Sequence, residues 1–216
     1  DTTSEGDPRI PRLPLPPLPP LPSMTEDPGS YVRRIVTLMR DVALALQAVH
    51  DQGILHRDIK PANLMLTPDG SRVVLMDFGL AKGQDTTLAA SHQGGLLGTL
   101  RYAAPEQLAY PRVEISPATD VYGLGVTMWE LLTRHRLFQE VEDAKQLAML
   151  MHDAEVPPVR TVDPSLGRDL DAIVARATER RVSERIKTAG QLAEYLQLYL
   201  DGKPLPFLRP SLHEKC

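Results

Sequence analysis

The segment HRDIKPANLML, His56 to Leu66, sets an acid, a base and an amide in one short loop. Asp58 is followed two residues later by Lys60 and five residues later by Asn63. A carboxylate, an ammonium and a carboxamide this close form a polar cluster that can orient a hydroxyl, hold a phosphate and help bind a metal. Any one of them alone reads as a solvated loop residue; together they argue for chemistry. One hairpin further on, MDFGLAK puts Asp77 at the end of an apolar run, with Phe78 and Gly79 behind it. Asn63 and Asp77 are both oxygen donors, can flank one cation position, and suit Mg2+.

The elements that must position these residues are legible as patterns. Val32, Ile35, Val36, Met39, Val42, Ala43, Leu46 and Val49 recur at three and four, which predicts a helix from Ser30 to His50. Ser30 is the expected N-cap and Gly53 the expected stop. Short apolar runs follow, GIL, NLML and RVVLMD, broken by the turn TPDG. Residues 80–103 are rich in Gly, Ser and Thr and read as a long loop. Helices are expected near 119–133, 142–152, 167–178 and 188–200, with no internal repeat. Residues 1–29 contain PRIPRLPLPPLPPLPSM and read as polyproline II, a stiff linker or surface insertion. The sharper alternative for Pro11 to Pro22 is a ligand for an aromatic groove of the SH3 type. A body over 30–200 and a tail over 201–216 complete the division.

Composition bounds the function. The 216 residues are 42% apolar, enough for one domain with a core. A net charge of −4 argues against a basic nucleic-acid face, so no nucleic-acid partner is expected. Even the basic run RATERRVSERIK reads as a solvated surface. The one cysteine, Cys216, permits no disulfide within the chain and suits a reducing, cytoplasmic setting. There is no apolar run long enough to span a membrane and no signal peptide. The chain begins with Asp1, which suggests a piece of a longer protein.

HRDIKPAN, DFG and AAPE (Ala103 to Glu106) follow one another in an order and at a spacing that resemble the protein kinases. From about residue 30 to residue 200 the chain resembles the C-terminal lobe of the eukaryotic-like serine/threonine kinases. The wording of GTLRYAAPEQL is most similar to the bacterial members. The fold this implies is mainly α (α+β), a helical lobe with a small β-hairpin region around the catalytic loop. The resemblance also implies roles. Asp58 would accept or orient the proton of the substrate hydroxyl, and Lys60 would neutralise charge on the γ-phosphate of ATP. Asn63 and Asp77 would hold Mg2+ against the ATP phosphates, so catalysis would rest on positioning and charge. Lys60 and Thr99 fit the serine/threonine class, the Thr99 hydroxyl bonding Asp58 and Lys60. Arg57 would pair with a phosphorylated activation loop, with Thr86, Thr87 and Ser91 as the candidate phosphosites. His56 would be structural. Glu106 would pair with Arg185, and Asp120 would bond the catalytic-loop backbone from the start of the central helix. Leu100, Ile186 and TRHRLF depart from the usual family wording without touching the chemistry.

A kinase of this type also needs a small N-lobe with a Gly-rich loop and a strand lysine. Neither motif precedes Ser30, so the N-lobe is expected to lie outside this chain, as part of the same polypeptide. The function implied is a partial serine/threonine protein kinase domain, an ATP-dependent phosphotransferase acting on protein substrates. The isolated chain is expected to be inactive. The alternative is a stand-alone lobe serving as a binding or regulatory module. Tethering of the full protein to a membrane by other segments is neither supported nor excluded.

Overall fold

The computed structural model describes residues 28–70, 72–77, 93–109, 111 and 113–208. The proline-rich segment, Phe78, Gly79, Thr86, Thr87, Ser91 and Cys216 lie outside the described residues.

Helix α1 spans Pro28–His50. It begins two residues before the expected cap, so Ser30 lies inside its first turn; Pro28 opens the helix because proline's fixed φ suits a first position. Its apolar stripe is buried as the periodicity requires: Ile35, Val36, Met39, Val42, Ala43 and Leu46 are all core residues. Gly53 closes the helix at φ +72, with Ile54 N donating to Val49 O (3.3 Å) and Gly53 N to His50 O (2.9 Å). This is the paired bonding of a glycine C-terminal motif.

The chain then runs through the loop of interest and a 3-10 turn, Pro61–Asn63, into β1 (Leu64–Leu66). β1 pairs antiparallel with β2 (Val73–Leu75), Leu64 opposite Leu75 and Leu66 opposite Val73. Thr67 to Gly70 make the turn, Gly70 at φ +68 with its N–H on Thr67 O at 2.8 Å. The GIL run forms no strand.

The long loop expected over 80–103 ends in a helix, α2, Gln93–Leu100. Its composition, QGGLLGTL, gives little helix propensity, so packing holds it. Leu100 is buried in the core and α2 rests on α5. A short α3 follows, Pro105–Leu108. α4 spans Pro117–Thr133, and its long run of buried residues marks it as the central helix. α5 (Ala144–Asp153) packs on α2 and α3, while α6 (Val159–Val162), α7 (Arg168–Ala177) and α8 (Ala189–Leu200) pack on α4. α1 packs on α4 and α8, and α7 packs on both α4 and α8. Packing continues past α8, where Leu205 is buried and Phe207 meets Tyr195 edge-on at 4.9 Å. The described chain is thus mainly helical with one two-stranded sheet. No described helix is long and apolar enough to cross a membrane.

Candidate active site

Asp120, in the first turns of α4, is the anchor. Its side chain is 1% exposed and has oxygens on two successive loop amides. Oδ2 accepts from His56 N at 2.8 Å and Oδ1 from Arg57 N at 2.6 Å. Charge-assisted bonds of this kind are strong and directional. His50, at the end of α1, faces the same carboxylate through Nε2 at 2.8 Å. The two buried side chains therefore join α1 and α4 directly beneath the loop. His56 has a structural place: its ring is buried and its Nε2 meets Met76 O at 3.0 Å.

The clamp holds an unusual backbone. Arg57 has φ +66 and Asp77 has φ +54. A non-glycine residue in such a region costs on the order of 1–3 kcal/mol and persists only where its surroundings over-determine it. At Arg57 those surroundings are visible, because Asp120 holds its N–H and Gln107 Nε2 donates to its carbonyl at 3.1 Å.

Past this strained residue, four of the sequence-predicted side chains meet. Lys60 Nζ donates to Asp58 Oδ2 at 2.9 Å and to Thr99 Oγ1 at 3.0 Å. Asn63 Nδ2 donates to the Asp58 carbonyl at 2.7 Å and approaches Oδ2 at 3.3 Å. Thr99 reaches the cluster from α2, 39 residues further on, so the lysine joins two distant segments. The Thr99 hydroxyl accepts from Lys60, one of its two expected partners, and Lys60 also bonds Asp58. Asp58 and Lys60 are partly open, at 13% and 19% side-chain exposure. Gly123 of α4 lets the loop sit this close. A Cβ there would stand 3.2 Å from both Cβ and O of Ile59.

Asp77 follows β2 and is exposed, and Met76 N bonds the Asn63 carbonyl at 2.9 Å. That bond brings Asp77 to the Asn63 end of the hairpin. Because the Asn63 NH2 is engaged by Asp58, its amide oxygen is the group left for a cation. One carboxylate and one amide oxygen fit Mg2+, which takes few protein ligands and shares the rest of its shell with water and phosphate. Among the described residues no group of three or more His, Cys, Asp or Glu could hold a metal.

The frame around the loop is buried and ionic. Arg185 forms a bidentate pair with Glu106, at 2.7 and 3.0 Å, and also donates to the carbonyls of Ala118, Glu179 and Arg180. Thr119 Oγ1 donates to Glu106 at 2.9 Å. Burial alone would raise the Glu106 pKa, but the Arg185 bonds and charge outweigh it and hold it below the ordinary range. Tyr122 beneath Arg185 is pushed up to about 12, chiefly by burial. Arg101, in the segment between α2 and α3, is buried and donates to the carbonyls of Leu137, Phe138 and Val141.

Sequence reasoning missed His50, Gln107, Arg101 and Gly123. His50 reads as an ordinary last-turn histidine, and the others depend on partners dozens of residues away. Thr86, Thr87 and Ser91 fall on residues outside those described.

A family model described as protein kinase domain matches residues 24–195. The serine/threonine-protein kinase PknL of Mycobacterium tuberculosis is 35% identical over 175 residues, 81% of this chain and 43% of that protein. PknJ of the same organism, also a serine/threonine-protein kinase, is 38% identical over 174 residues, 78% of this chain and 29% of its own length. A probable serine/threonine-protein kinase of Streptomyces coelicolor is 34% identical over 174 residues, 80% of this chain and 25% of that protein. The chain therefore spans less than half the length of these relatives. By the extent of the match and the identity of these relatives, the chain belongs to the protein kinase domain family.

Proposed function

We propose that this chain carries the C-lobe half of the active site of an ATP- and Mg2+-dependent protein kinase acting on serine and threonine hydroxyls. The observation that supports it is the cluster in which Lys60 bridges Asp58 and Thr99 while Asn63 fixes the Asp58 backbone. Asp58 accepts the substrate hydroxyl proton as the hydroxyl oxygen bonds to the γ-phosphorus. The bond from that phosphorus to the bridging oxygen breaks, and ADP leaves. Lys60, held by two oxygens, presents its ammonium to the transferred phosphate. Asn63 and Asp77 are the residues that would hold Mg2+, which when bound neutralises phosphate charge. Positioning and charge are then the main contributions of the protein.

Arg57 is proposed to receive a phosphate placed on Thr86, Thr87 or Ser91. Its Nε is buried and has no hydrogen-bond partner among the described residues, which suits a guanidinium that meets an anion. The Gly-rich loop and strand lysine would come from an N-lobe beyond these residues.

The test is phosphotransfer from γ-labelled ATP by the protein expressed from its native reading frame. Label should appear on serine and threonine, and Asp58→Asn should lower the rate by about 10²–10⁴-fold, the usual range for a positioned acid–base group. Label on tyrosine alone, or a rate indifferent to Asp58→Asn, would reject the proposal.

A further inference from the structure

We infer that Gln107 is a positioning residue for the catalytic loop, holding the Arg57 carbonyl so that Asp58 keeps its aim. The inference rests on the phosphotransfer reading of Asp58. Gln107 is in α3, fifty residues beyond Arg57. Its Oε1 accepts from Ala104 N at 2.8 Å, and its Nε2 donates to Arg57 O at 3.1 Å. The two contacts settle the amide's orientation, since a flipped amide would set NH2 against N–H and oxygen against oxygen. Its own N–H donates to Ala104 O at 2.9 Å, which fixes the side chain's starting point.

The value of this contact lies in what it restrains. Arg57 is the residue at φ +66, immediately before Asp58. Asp120 holds the N–H of that residue and Gln107 holds its carbonyl, so both ends of the strained unit are fixed, by α4 and by α3. Remove the second restraint and the Arg57–Asp58 peptide can rotate toward ordinary φ and ψ, which swings the Asp58 carboxylate away from Lys60. Gln107 touches none of the reacting groups; it acts through the peptide. Because α3 also carries Glu106, whose pair with Arg185 is buried, the clamp is mounted on a rigid support.

The test uses Gln107→Glu and Gln107→Leu in the protein expressed from its native reading frame. Gln107→Glu still accepts from Ala104 N–H, but at neutral pH it cannot donate to the Arg57 carbonyl. We expect kcat to fall about tenfold, the loss of one well-placed bond, with KM for ATP changed less than about twofold. As pH falls the carboxyl protonates and regains an O–H donor, so the ratio of variant to wild-type kcat should rise. Gln107→Leu should show the loss at every pH. Amide exchange at Arg57 and Asp58 should accelerate in both variants at neutral pH, with melting temperature little changed. Unchanged exchange at these two amides would overturn the inference, as would a kcat ratio for Gln107→Glu that does not depend on pH. If the wild-type protein transfers no phosphate, the kinase reading fails, and exchange at Arg57 and Asp58 still decides the clamp.

Discussion

Lys60 lies between Asp58 Oδ2 and Thr99 Oγ1, and those two contacts give it one place to stand. A free lysine side chain samples many rotamers; one held by a carboxylate and a hydroxyl does not. Thr99→Val keeps the shape and removes the oxygen. The expected result is a fall in kcat of about tenfold with a small change in KM for ATP, and Thr99→Ser should restore most of the rate. Steady-state phosphotransfer with the three side chains compared side by side checks it. This part of the site was legible in the sequence because Asp58, Lys60 and Asn63 are neighbours in the chain. The family resemblance also pointed to Thr99 and Asp120, but it did not mark His50 or Gln107. His50 contributes one polar group to Asp120, 70 residues away, and Gln107 one to the Arg57 carbonyl, 50 residues away, and no spacing rule marks such a residue before the fold is known.

At the scale of elements, α4 does two things for the loop. Asp120 holds two of its amides, and Gly123 leaves room for Ile59. Gly123→Ala should push a methyl into Ile59 backbone and side chain, which cannot yield as a flexible tip would. Destabilisation of about 1–3 kcal/mol is expected, together with loss of phosphotransfer beyond what stability explains; urea unfolding and activity of the same preparation check both. The Glu106–Arg185 pair ties α3 to the segment between α7 and α8, with side chains 4% and 0% exposed. Arg185→Met leaves a buried carboxylate without its partner and should cost about 3–5 kcal/mol. The same pair predicts a pH dependence. The folded-state pKa of Glu106 lies below its ordinary value, so the unfolded chain takes up the proton first as pH falls. Stability from the pair is therefore complete above the ordinary glutamate range and is lost as pH drops through the folded pKa. Urea midpoints measured from about pH 6 down to about pH 3 should fall further in the wild type than in Glu106→Leu/Arg185→Met, which has no such carboxylate. The longer helices were legible from apolar periodicity, since α1, α4, α7 and α8 bury a stripe and α5 buries Leu147 and Met151 one turn apart; the four-residue α3 and α6 were not expected. α2 was not, because three glycines hide a helix that packing with α5 and the buried Leu100 sustain.

At the scale of the whole molecule, the described chain is a helical body with one hairpin. That hairpin exposes apolar side chains: Met65 is 49% exposed, Leu66 51% and, opposite Met65, Val74 43%. Exposed apolar groups grouped in this way are costly to leave in water and favour a covering partner. An N-lobe lying there is the proposed cover, so Met65→Asp/Val74→Asp should improve the solubility of the isolated chain and weaken phosphotransfer in the native-frame protein. The general architecture was readable because order and spacing of three motifs carried it. The register of the hairpin was not, because it depends on which atoms meet once the chain is folded.

The most direct measurement is phosphotransfer from γ-labelled ATP to serine and threonine, made on two proteins in parallel: this 216-residue chain alone and the protein expressed from its native reading frame, each with and without Asp58→Asn. The proposed half-site predicts transfer by the native-frame protein, its loss in Asp58→Asn, and little or none by the chain alone. Robust Asp58-dependent transfer by the chain alone, or transfer by the native-frame protein that survives Asp58→Asn, would contradict it.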